Sequence, residues 1–246
     1  MANNPLLKAE LFEYLDGLND GKMSYEKSIK NVFSLLATMF VAFCYVWYYG
    51  FDGFADRLGF ISVASLMIVI ALVFTARSFP KFSLHMSFPF AACLGVAFAG
   101  FSFIFFNRTF GILPEMIFIT ILSAFYVFIT YKPDLTDRKT KFENVKNSAL
   151  QVSVAYYVLI LIGLILKLGY AGLMIKGIFG FIFAPVFAYL AVYSFICDLD
   201  MAVGCAIKEI PKHFEWYITF ALLFSLVWQV ARIGDAIKSL TAKNKN

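Results

Sequence analysis

Seven apolar runs, nearly free of charge, divide the chain: residues 32–51, 58–76, 86–106, 116–131, 148–166, 177–197 and 216–231. Each is long enough to cross about 30 Å of hydrocarbon as a helix rising about 1.5 Å per residue, the shorter ones with their flanks included. None shows the roughly ten-residue apolar/polar alternation of a membrane β-barrel, and lipid-exposed backbone must satisfy its own hydrogen bonds. The pattern therefore predicts an all-α polytopic membrane protein, a bundle of seven transmembrane helices. Charged and proline-containing segments separate the runs, at residues 52–57, at Phe79-Pro80-Lys81 and at Lys132-Pro133-Asp134. Three parts follow: an interfacial segment 1–30, a transmembrane domain 31–237 and a polar tail 238–246.

Shorter patterns refine these parts. In residues 5–18, Leu6, Leu7, Leu11, Tyr14, Leu15 and Leu18 recur near helical period opposite Lys8, Glu10 and Glu13. This predicts an amphipathic helix that lies at the interface or packs on the bundle. Ala91, Gly95 and Ala99 form a small-xxx-small line suited to close helix packing. Gly163, Gly169, Gly172, Gly177 and Gly180 mark a tight hairpin or a hinge between the fifth and sixth runs.

Composition excludes a soluble enzyme. The 246 residues are 61% hydrophobic, 19% aromatic and only 15% charged, where soluble domains carry about 25% charge. With a mean hydropathy of +0.77, the chain has no room for a separate water-soluble domain of ordinary size. The net charge of +5 comes from Lys and Arg in connecting segments, with no basic run interleaved with aromatics, so membrane lipids and not nucleic acid are the expected partners. Cys44, Cys93 and Cys197 fall inside apolar runs and Cys205 just beyond one; without a CxxC pair or nearby His, neither disulfide nor zinc is expected. Residues 1–30 are polar and acidic, so the first span itself is expected to direct insertion.

Charge placement also sets topology. Lys132, Arg138, Lys139, Lys141 and Lys146 make the connection between the fourth and fifth runs cytoplasmic by the positive-inside rule, and the N-terminus joins it after four crossings. Seven spans would then export a tail carrying Arg232, Lys238, Lys243 and Lys245. The alternative is a final segment that re-enters without crossing.

Ionisable groups at membrane depth are the strongest functional signal, because a charge there costs several kcal/mol unless it is paired or hydrated. Glu115 follows Pro114 at the start of the fourth run, where a carboxylate favours the helix dipole. Lys167 ends the fifth run and can snorkel, and Arg232 and Asp235 can pair on one helical face. Asp198 and Asp200 close the sixth run. Two residues apart, they lie about 200° apart around a helix, so one faces the interior and the other turns out unless the helix unwinds. Ser194 precedes Asp198 by one turn and can support it. A simpler role for both acids is to mark the helix end at headgroup level. Glu215, Thr219, Ser225, Gln229 and Arg232 make a polar stripe on the last span, which places that helix centrally. His85 and His213 are the only histidines, and neither HExxH nor GxSxG is present. Neither enzymatic activity nor a cofactor is expected.

The run CDLDMAVGCAIKEIPKHFEWYITFALLFSLVWQVARI at residues 197–233 resembles the C-terminal two helices of the Bax inhibitor-1 (TMBIM) superfamily, and looks closest to its bacterial branch. MSYEKSIKN before the first span and RSFPKFSLHMSFPFAACLGVAFAG across the second and third extend the resemblance over most of the chain. The resemblance implies a seven-helix bundle with the last helix central, in the cell membrane. It also implies a pH-sensitive calcium leak gated by a buried carboxylate pair between helices six and seven, with Ca2+ as the transported ion. Acids that share a proton titrate as a coupled pair, and hard cations prefer oxygen ligands. Asp198 matches the helix-six acid, whereas Phe220 and Phe224 stand where the leak-channel members carry acids and Leu94 lies near the place of the family's third-helix acid. Asp200, Glu215 and Glu115 are the candidates to partner Asp198. The runner-up implied by some relatives is a non-conducting modulator that binds other membrane proteins, such as a protease or quality-control complex.

Overall fold

The computed structural model describes residues 6–7, 21–50, 55–105, 112–131, 138–166, 178–208 and 210–243. Seven α-helices occupy them: α1 Tyr25–Gly50, α2 Ala55–Ser78, α3 Ser83–Phe105, α4 Ile112–Thr130, α5 Arg138–Ile165, α6 Ile178–Ile207 and α7 Phe214–Lys243. A short 3-10 turn, Pro80–Phe82, joins α2 to α3. The protein is thus an all-α integral membrane protein, since six of these helices are long and apolar enough to span a bilayer and nothing but a helix or closed barrel can do so.

Three expected boundaries shift. Helix α1 begins at Tyr25, so the division at residue 30 falls inside a helix whose polar first turns precede the apolar run. Helix α6 does not close at Asp198 and Asp200 but continues to Ile207, because the apolar residues after the two acids keep the helix inside the span. Helix α7 extends to Lys243, through most of the segment expected to be a polar tail. The amphipathic segment 5–18 lies largely outside the described residues, as do Gly169, Gly172 and Gly177. Leu6 and Leu7 are described, and both are buried.

The chain divides into two compact units, residues 1–104 with 198–224, and residues 105–197 with 225–246. In the first unit, Gly95 lies where an added Cβ would strike the Met39 carbonyl oxygen of α1, and Gly100 lies against Ser62 of α2. Glycine at these two places lets α3 approach its neighbours at backbone distance, as small residues do between membrane helices. In the second unit, the Tyr126 hydroxyl of α4 donates to Gln151 Oε1 of α5, and Phe128 of α4 stacks near Phe195 of α6 at 5.9 Å.

Contacts within the first unit bring several helix ends together. Met23 N–H donates to the Ile210 carbonyl at 2.9 Å and Lys212 N–H to the Gly21 carbonyl at 3.0 Å, around an isolated antiparallel bridge between Lys22 and Pro211. The starts of α1 and α7 and the end of α6 therefore share one face. Phe88 in the second turn of α3 meets Trp216 at 5.9 Å, which brings the start of α3 to that face too. Helix α4 has a shorter apolar run, Met116–Thr130; at 19 residues the whole helix reaches about 28 Å. Helix α7 runs unbroken for 30 residues, about 45 Å, with no turn back within it.

The face where α1, α3 and α7 begin exposes Lys22, Lys27, Lys30, Arg77, Lys81, Lys208 and Lys212, which the positive-inside rule assigns to the cytoplasm. With the seven crossings that the sequence predicts, the tail's lysines are carried to the opposite side and the earlier helices set the orientation. In sealed vesicles, protease should remove an N-terminal tag and a C-terminal tag from opposite sides of the membrane. Loss of both tags from one side would contradict this topology.

Candidate functional site

The acids singled out in the sequence occupy distinct environments. Asp198 sits in the interior of α6 with its side chain fully buried at 0% exposure, while Asp200 is partly exposed. A continuous helix separates the two faces, so no unwinding brings both carboxyls to one cavity. Ser194, one turn earlier on α6, is buried. Glu115 lies in the first turn of α4, with its side chain outside the described residues. The same holds for the side chains of Arg232 and Asp235, whose backbones continue α7.

On α7, Glu215, Thr219, Ser225 and Gln229 are all buried. With 67% of its spanning window buried, α7 is the most enclosed of the spanning helices, followed by α6 at 61%, against 22% for α1 and α2. A polar stripe is tolerable in such a helix because it meets protein and not lipid.

Glu215 is the best-connected of these groups. Its Oε1 accepts the Ser24 N–H at 3.1 Å, and its Oε2 lies 3.3 Å from Lys27 Nζ, which is itself half-exposed. Ser24 immediately precedes α1, so Glu215 satisfies an orphan donor at the start of that helix from the first turn of another, a capping interaction made across the fold. The carboxylate also faces the positive end of its own helix. One turn in, Thr219 Oγ1 lies 2.7 Å from the Glu215 carbonyl and 3.3 Å from the Ser28 carbonyl, and Ser28 Oγ donates to the Ser24 carbonyl at 3.2 Å. Tyr217 adds a bond from its hydroxyl to the Leu6 carbonyl at 3.1 Å. The start of α7 is thus clasped to the segment that leads into α1.

The structure brings Glu215 and Thr219 together with Ser24, Lys27 and Ser28, residues that the sequence pattern does not single out. One local signal was available: Ser24, with Glu26 in the first helical turn, is a helix-start signature. Its partner lies 191 residues away. Between α3 and α7 this chain has a ring contact: Phe220 is buried with its ring 4.3 Å from Phe90, and Phe224 lies 6.5 Å from the same ring. Leu94, also on α3, is fully buried. Among the described residues, no group of three or more His, Cys, Asp or Glu converges to hold a metal ion.

The clasp carries a stability prediction. Glu215→Ala should cost about 2–3 kcal/mol, the range for a buried bond to a charged group. Glu215→Gln should cost roughly 1 kcal/mol, since its amide oxygen still accepts the Ser24 N–H. Lys27→Met should cost under about 1 kcal/mol because the ammonium is solvated. Unfolding of the purified protein in detergent measures all three, and equal losses for Glu215→Ala and Glu215→Gln would contradict the assignment.

A search of curated proteins and a search of solved structures each return no match. The family model described as Bax inhibitor 1 like matches residues 4–233, a span that takes in the clasp, the buried Asp198 and the aromatic contact of α3 with α7. The chain belongs to the Bax inhibitor 1 like family.

Proposed function

We propose that this protein is a cation leak of the cell membrane, passing calcium in a pH-sensitive manner, with Asp198 as the group that binds and gates the ion. The observation that carries this reading is the fully buried Asp198 side chain, held within a spanning helix well before its end at Ile207. A carboxyl group at such depth destabilises the fold by roughly 2.5–3.5 kcal/mol or more, so its presence in a buried position of a spanning helix argues for a use. Membership of the family supports the same assignment.

The chemistry follows from what a buried carboxyl can do. Ionised, it supplies a hard oxygen ligand that replaces part of a divalent ion's hydration shell. Protonated, it is neutral and offers the cation little. Because a passing ion must also leave, one strong ligand serves transit better than a closed cage. Ser194, one turn away on the same helix, adds a hydroxyl to that face. Ser225 and Gln229 supply further buried polar groups on α7. Asp200 and Glu215 take supporting parts: Asp200 is partly exposed, and Glu215 holds the start of α7 through its bonds to Ser24 and Lys27.

Reconstitution into liposomes loaded with a calcium indicator tests the proposal. Wild type should pass calcium at a rate that changes with pH. Asp198→Asn should lower the flux about tenfold, the effect of roughly 1.4 kcal/mol on ion binding, and should abolish the pH dependence. Flux unaltered by Asp198→Asn, or no flux in the wild type, would refute the leak. The second result would favour a membrane-protein modulator.

A further inference from the structure

The turn between α2 and α3 carries a patch that neither the clasp nor Asp198 uses. Phe79 N–H donates to the Thr75 carbonyl at 2.8 Å and Phe82 N–H to the Phe79 carbonyl at 3.1 Å. The Ser83 hydroxyl then closes on the Pro80 carbonyl at 2.6 Å. Pro80 stands at the first position of the 3-10 turn, none of whose residues is buried. Arg77 and Lys81 are exposed, and between them Phe79 and Phe82 are 58% and 56% exposed.

Its position sets what it can meet. The spanning segments Leu58–Ser78 and Pro80–Ser102 end and begin within this turn, so it sits at the boundary of hydrocarbon and water. It also lies on the face where α7 begins: Arg77 is within electrostatic reach of Tyr217, and Phe88 and Trp216 pack at 5.9 Å beside it. Two phenylalanines with no polar atom are poorly placed in water, while a guanidinium and an ammonium beside them cannot enter hydrocarbon. A phospholipid satisfies both, with acyl chains against the rings and phosphate oxygens on the cations. Arginine's planar donor fork suits phosphate in particular. The surrounding Lys22, Lys27, Lys30 and Lys212 make this face attractive to negative lipid.

We propose that Arg77, Phe79, Lys81 and Phe82 form a binding site for the headgroup and upper acyl region of an anionic phospholipid. The site differs from Asp198 in position and chemistry, and it stands whether or not the protein conducts.

Native mass spectrometry of the full chain in detergent, with phosphatidylglycerol or phosphatidylcholine added, tests the assignment. Wild type should retain phosphatidylglycerol about tenfold better than phosphatidylcholine. Arg77→Gln with Lys81→Gln should erase most of that preference, whereas Lys238→Gln with Lys243→Gln, an equal loss of charge on the tail, should leave it intact. Phe79→Ser with Phe82→Ser should weaken retention of both lipids. Equal retention by wild type and the Arg77→Gln, Lys81→Gln variant overturns the site. So does displacement of the lipid by millimolar inorganic phosphate, which would mark a site for the free anion. A photo-crosslinking residue at position 82 that captures a protein in cells, and not lipid, overturns it as well. Unfolding temperatures in phosphatidylcholine alone, matched across variants, show that any loss is one of binding.

Discussion

In a bilayer the surroundings offer a polar atom nothing, so each hydroxyl, amide and carboxyl at membrane depth must find its partner inside the protein. Much of this structure follows from that constraint. It makes every crossing a helix, and it turns the polar stripe of α7 inward, so that the helix that carries the stripe is also the most enclosed of the spanning helices. The serines and threonines of the outer helices obey it locally by bonding to carbonyls one turn back, as Ser62 does to Leu58 and Thr120 to Met116. Carboxyl groups have no such local remedy. They need a donor from elsewhere or a proton.

The two buried acids meet the constraint differently, and the difference separates scaffold from chemistry. Glu215 sits at the first turn of α7, where the dipole of its own helix, the Ser24 N–H and Lys27 all stabilise negative charge. It ties two helix starts 191 residues apart in sequence and fixes the register in which Thr219 reaches Ser28. Asp198 lies mid-helix, away from either pole, where the dipole contributes little. In the proposed function the ion-handling part falls to it. Between α3 and α7 the space is filled by the packing of Phe90 with Phe220.

The architecture was visible along the chain because hydrophobic length is a local property. A run without charge, such as residues 58–76, can hardly be anything but a crossing. The errors arose where composition and position disagree. Asp198 and Asp200 look like the end of a span because charge ordinarily marks the interface, yet the apolar residues after them carry α6 on to Ile207. Lys27 and Lys30 look like a segment before the membrane, yet they form the first turns of α1. The clasp itself was hidden, since Glu215 supplies the polar stripe with one member while its partners lie at the other end of the chain. Periodicity shows which face of a helix is polar and says nothing of what that face meets. Gly95 shows the same limit: its small-residue line pointed to close packing, and only the fold named Met39 as the neighbour.

If a cation passes along this protein, water and small ions must reach Asp198, although the side chain is fully enclosed in the structure. The most direct measurement is side-chain accessibility in the membrane. In a protein whose four native cysteines are replaced by serine, a thiol at position 198 should react with a small, water-soluble cationic methanethiosulfonate, while a thiol at the adjacent buried position 199 stays inert. Equal inertness of both, from either side of the membrane, would contradict transit past Asp198.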